Sequence, residues 1–127
     1  MKFGYTILYV DDVASTLAFY GKAFDLATRF LHESGTYGEL ETGATALAFA
    51  SRAMLRELGK TPQPPTLHQP TSEIALVTDD VPAAVERAAA AGATLVQAPK
   101  AMPWGQTIAY VGDVNGFLVE LCTPMAG

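Results

Sequence analysis

The 127 residues are 50% apolar and 17% charged, enough for one compact domain with a sizeable core and too apolar for a disordered chain. A net charge of −5 argues against nucleic acid and against anionic membrane surfaces as partners. No apolar run approaches the ~20 residues that span a bilayer, no signal-peptide pattern opens the chain, and the single Cys122 excludes an internal disulfide, so a cytoplasmic protein is expected.

The first element reads as an apolar strand from Tyr5 that ends in Asp11-Asp12-Val13 and runs into a helix. Aspartate suits that junction because its carboxylate accepts from the unpaired amides of a first helical turn. Val13, Leu17, Tyr20 and Phe24 then fall on one helical face. Strand-like segments follow at Ala27–His32, Thr36–Glu41 and Thr45–Ala50, with a turn at Thr42-Gly43-Ala44. Ser51–Leu58 predicts a short extra helix, capped by Ser51 and ended by Gly59.

Lys60–Ser72 holds Pro62, Pro64, Pro65 and Pro70 and a single large apolar residue, Leu67. Proline fixes φ and lacks a donor, so this stretch predicts a connector that is neither helix nor central strand. It separates a module of about residues 1–59 from a second of 73–127. Charge is uneven across it: six basic and seven acidic groups precede Pro65, two and six follow.

The second module repeats the first. Glu73 to Val81 overlays Tyr5 to Val13 at an offset of 68, again a strand ending in Asp-Asp-Val before a helix. Pro82 suits that helix's first turn, Val81, Val85 and Ala88 share a side, and Gly92 ends it. Strands are predicted at Thr94–Gln97, Thr107–Val111 and Phe117–Cys122, with a turn at Asp113–Gly116. Leu118–Leu121 matches Ala46–Phe49 at an offset of 72. Each half therefore reads β-α-β-β-β. Two half-apolar sheets of this kind predict an α+β fold in which the two modules curl around a shared cleft.

Strand alternation assigns faces. Leu8, Val10, Leu47, Phe49, Ile74, Leu76, Val119 and Leu121 are expected against the helices. Tyr5, Ile7, Tyr9, Ala46, Ala48, Ala50, Glu73, Ala75, Val77, Leu118, Glu120 and Cys122 are left on the other side. Two readings fit that second face: a small-molecule pocket with small residues leaving volume, or a second core closed by the other half or another subunit. Glu73 and Glu120 are its sharpest feature, since a carboxylate interrupting an apolar strand must be solvated, paired or bound to a cation. Metal ligation, general acid–base work and polar contact to a ligand are the functional readings; a solvated mouth or a Lys/Arg pair are the plain ones. Trp104, in Pro103-Trp104-Gly105, either packs its loop or stacks on a ligand. No Gly-rich phosphate loop and no nucleophile elbow occur, and Cys122 near Glu120 reads as structural because a neighbouring carboxylate raises a thiol pKa.

Tyr5 to Tyr20, Glu73 to Asp80, Pro103 to Gln106 and Asp113 to Leu121 together resemble the vicinal oxygen chelate superfamily, which includes glyoxalase I, extradiol dioxygenases, fosfomycin-resistance enzymes and bleomycin-resistance proteins. The resemblance implies tandem βαβββ modules forming a cupped mixed sheet with helices outside, and a homodimer. Metal-dependent members take one ligand from each inner strand. Those positions here are Tyr5, Ala48, Glu73 and Glu120, and alanine cannot ligate while neutral tyrosine ligates poorly. Neither His32 nor His68 occupies one of them. The metal site implied by the resemblance therefore reads as degraded, with no cofactor expected; the alternative is a divalent ion on Glu73 and Glu120. The expected function is small-molecule binding of the bleomycin-resistance type, with Tyr5, Ile7, Tyr9, Ala48, Glu73, Trp104 and Glu120 around a cationic or aromatic ligand. The rival is a metal-dependent lyase, isomerase or dioxygenase with Glu73 and Glu120 as catalytic groups.

Overall fold

A computed structural model describes residues 1–125. The chain divides at Pro64–Pro65 into two compact units, inside the proline-rich connector. The first contains β1 (Tyr5–Val10), α1 (Val13–Phe24), β2 (Thr28–Leu31), β3 (Tyr37–Leu40), β4 (Ala46–Ser51) and α2 (Arg52–Glu57). The second contains β5 (Ile74–Val77), α3 (Val81–Ala90), β6 (Thr94–Ala101), β7 (Thr107–Gly112) and β8 (Leu118–Cys122). Each unit carries one mixed four-stranded sheet, in the orders β1-β4-β3-β2 and β5-β8-β7-β6. The fold is α+β and built of tandem βαβββ modules.

The repeat holds at the level of pairing. In the parallel β1–β4 ladder Ile7 opposes Ala48, and in the parallel β5–β8 ladder Ala75 opposes Glu120. These partners are related by the offsets of 68 and 72 seen in the sequence. The helix entrances match too. Asp12 accepts from the Ser15 amide at 2.9 Å and Asp80 from the Ala83 amide at 3.1 Å, each filling an orphan donor of a first turn. Ser51 caps α2 in the same way, accepting from the Met54 amide at 3.3 Å.

In the first unit α1 buries Val13, Thr16, Leu17, Phe19, Tyr20 and Ala23. Phe49 packs against Tyr20 with ring centroids 5.0 Å apart. The helix lies so close to β3 that a Cβ on Gly38 would stand 2.7 Å from Leu17 Cδ1 and 3.1 Å from Val13 Cγ1. Glycine is what permits this approach. Arg52 is buried at the start of α2, where Nη1 donates to the Tyr9 carbonyl at 2.8 Å and Nη2 meets Asp11 at 2.7 Å.

Three sequence expectations change. Ala46, Ala48 and Ala50 do not leave an open face: every residue of β4 is buried. A methyl group on a central strand is shaded by the taller side chains of both neighbouring strands. β6 runs to Ala101 rather than stopping at Gln97, and passes through Pro99. As an edge strand it pairs only with β7, so a missing donor on its open side is tolerated. The connector is irregular as expected, but Pro65–Ser72 belongs to the second unit, because Leu67 packs on Gly112 of β7.

Candidate functional site

The face of the second sheet opposite α3 carries the chemistry. Glu73 precedes β5 by one residue and shares the face of Ala75, whose partner in the ladder is Glu120. Tyr110 on β7 lies directly across from Glu120. Its hydroxyl donates to Glu120 Oε2 at 2.9 Å. The Glu73 carboxyl lies close enough to both Glu120 and Tyr110 to feel them electrostatically. The structure thus brings together the two carboxyl groups singled out by the sequence and adds a phenol on the far side of Glu120.

The electrostatics follow from this crowding. Glu73 is exposed as a whole residue, yet its carboxyl head is drawn against Glu120. Partial desolvation, repulsion from Glu120 and the hydrogen bond to it push Glu73 above the ordinary carboxylate range, opposed only by the Tyr110 hydroxyl. Burial, then the bond to Glu120, raises Tyr110 to about 12. The Cys122 thiol, two residues along β8, is also raised, first by burial and then by Glu120. Its Sγ lies 3.8 Å from the Leu76 carbonyl, and the group is an inert filler. Two carboxyl groups held against each other, with a phenol donating to one of them, make a centre rich in hydrogen-bond acceptors. The ion pairs Arg29–Glu41 and Arg52–Asp11 lie in the first unit.

The matching face of the first sheet is different. Tyr5, Ile7 and Tyr9 share it along β1; Tyr5 and Ile7 are exposed and Tyr9 is half-buried. Ala48 is fully buried beneath them, with Ile7 on one side and Glu39 of β3 on the other. The Tyr37 hydroxyl donates to Glu39 Oε2 at 2.7 Å. Burial and that bond hold Tyr37 far above a phenol's ordinary value. A hollow of about 580 Å³ opens here, with Lys2, Tyr5, Arg29, Glu39 and Ala46 in its wall.

Trp104 sits in the β6–β7 turn, exposed, with its indole N–H donating to Gln106 Oε1 at 2.7 Å. Gln106 in turn donates to the Thr123 carbonyl at 2.8 Å. The indole is therefore tied into its own loop, beyond the Ile108–Cys122 end of the sheet, while Glu73 lies toward the Leu118 end. His68 lines a hollow of about 250 Å³ with Leu67, Val96, Gln97, Tyr110 and Leu118. His32 pairs with Ser34 instead, its Nδ1 2.7 Å from the hydroxyl. Among the described residues no three His, Cys, Asp or Glu side chains converge as a cation centre.

Sequence reasoning missed Tyr37, Glu39 and Tyr110. The signal was present: both tyrosines and Glu39 alternate with buried residues in strands whose other face is core. What marks them out is the strand lying opposite, and β3 is too short to show its period clearly.

The family model of the Glyoxalase/Bleomycin resistance protein/Dioxygenase superfamily matches residues 2–121. The chain belongs to that superfamily. It is 33% identical over 123 residues to Mb0911c, an uncharacterised protein of Mycobacterium bovis, covering 93% of this chain and 80% of that one. Among solved structures it resembles a glyoxalase-related enzyme from Fulvimarina pelagi, with a TM-score of 0.84 and 23% identity over 98% of this chain and 88% of the other. It also resembles a glyoxalase/bleomycin resistance protein/dioxygenase family enzyme from Burkholderia phytofirmans PsJN, with a TM-score of 0.70 and 22% identity over 94% and 96% of the two chains. At these identities the solved structures establish the fold.

Proposed function

We propose that this protein binds a small organic molecule without a resident metal, holding it against the sheet face that carries Glu73, Tyr110 and Glu120. The observation that carries this reading is the cluster itself: Tyr110 donates to Glu120, and the Glu73 carboxyl lies against the same group. Two hard oxygen donors without an imidazole are a poor set for zinc, nickel or iron, and the remaining positions implied by family resemblance, Tyr5 and Ala48, add no good ligand. The same trio suits a ligand that brings hydrogen-bond donors or positive charge, since the face holds acceptors and an acidic field. We place the protein in the cytoplasm as a homodimer. The lone Cys122 supports the compartment, and no helix among the described residues is long and apolar enough to cross a membrane.

Metal analysis of purified protein, paired with binding of an organic cation, tests this. Substoichiometric metal is expected, together with a drop of roughly tenfold in cation affinity in Glu120→Gln, the loss of one charge-assisted contact. A stoichiometric divalent ion that disappears in Glu120→Ala would overturn the proposal in favour of a metal-dependent lyase, isomerase or dioxygenase.

A further inference from the structure

The connector does more than join two modules. Gly112, on β7 opposite Leu118, has no Cβ, and one placed there would stand 2.5 Å from Leu67 Cδ2 and 2.8 Å from Leu67 Cδ1. Leu67 therefore fills a notch that only glycine leaves. Pro65 rests beside Gly116 at ordinary contact distance, its Cγ 3.6 Å from where a Cβ would be. The Gln69 amide donates to the Thr66 carbonyl at 3.0 Å, which turns the segment over the sheet. The strap crosses the sheet two rungs from Tyr110–Glu120, at Gly112–Leu118, the nearest rung on the same face.

The hollow of about 250 Å³ lies beside this strap. Tyr110 and Leu118 form its floor, Leu67, His68 and Pro70 one wall, and Val96 with Gln97 the other. Consecutive strand residues ordinarily point to opposite faces, but the β6 ladder shifts register between Leu95 and Gln97, and a bulge re-aims a side chain. That irregularity lets Val96 and Gln97 face the same space. The volume falls just below the ~300 Å³ at which pockets for drug-sized ligands begin, so it suits a single ring. Tyr110, which lines the hollow, donates its hydroxyl to Glu120, so acceptor oxygens and an acidic field stand beside this space. No Lys or Arg lines it.

We propose that Pro65–Pro70 is a built-in wall of the ligand site, and that the hollow it forms with β6 and β7 admits one planar ring bearing N–H donors and rejects the same ring bearing a carboxylate. This deepens the function proposed above and rests on it. Titration of the full-length protein with benzamidine, benzamide and benzoate, followed by amide NMR, is the test. Benzamidine should shift Val96, Gln97, Tyr110 and Leu118 and bind tightest, benzamide more weakly, and benzoate not measurably. Gly112→Ala and Leu67→Ala should each weaken benzamidine about tenfold or more. Leu67→Ala, in a segment outside helix and strand, carries the test if Gly112→Ala does not fold. Strap variants that bind as tightly as the wild type overturn the proposal, as does benzoate binding on a par with benzamidine. Affinity that responds to Glu120→Gln but not to the strap sinks only this inference. Affinity that responds to the strap but not to Glu120→Gln sinks the carboxyl reading instead, and no binding of any probe sinks both.

Discussion

The two halves share a ladder but not a chemistry. At matching positions on the face away from the helix, the first unit has Tyr5, Ile7, Ala48 and Glu39, and the second has Glu73, Ala75, Glu120 and Tyr110. Each half keeps a phenol bonded to a carboxylate, but within one strand in the first unit and across two strands in the second. Duplication preserved what the backbone needs and let the inner face diverge. The core diverged as well: α1 buries six residues, α3 only Val81 and Ala88.

The largest way to test that contrast is to empty matching core positions. Phe49 and Leu121 are equivalent at the offset of 72 and both are buried. Phe49→Ala should cost about 3–5 kcal/mol and Leu121→Ala about 2–3 kcal/mol, read by chemical denaturation. Equal costs would mean that the thinner cover of α3 is compensated elsewhere.

A second test turns on the carboxyl pair. With its pKa raised in the folded state, Glu73 keeps a proton that the unfolded chain has already lost. Its contribution is fully present below the unfolded value and is lost as pH rises through the folded one. Stability of the wild type relative to Glu73→Gln should therefore be highest in acid and fall as pH climbs above the ordinary carboxylate range. Tyr5→Phe, at the matching place in the first half, should follow the wild-type profile. Denaturation midpoints across pH that run parallel for wild type and Glu73→Gln would break the assignment.

The smallest effect is where the halves should agree. Asp12→Ala and Asp80→Ala each remove one cap and should each cost about 1 kcal/mol in thermal unfolding. A marked inequality would show that one entrance carries a further contact.

The sequence resolved the parts of the molecule governed by short-range rules. Both aspartate caps, the Ser51 cap and the βαβββ order follow from residue type and spacing. Glu73 and Glu120 were legible because a carboxylate in an apolar strand breaks a pattern. Tyr110 and Glu39 were not, since their importance comes from which strand lies opposite, and pairing partners are set by topology rather than by neighbours in the chain. Leu67 was visible as the connector's one large apolar residue, but its seat on Gly112 joins positions 45 apart, beyond any local signal.

Arg52 has a consequence for rigidity. Its side chain is 7% exposed while Asp11 beside it is 81% exposed, so the guanidinium depends on the Tyr9 carbonyl and one surface carboxylate for solvation. Were α2 to swing away, those partners would be left behind and the cation would have to find water. The end of β1 and the start of α2 must therefore move as one piece. A lysine there, with a single compact head, could not span both anchors, and the corner would become a hinge.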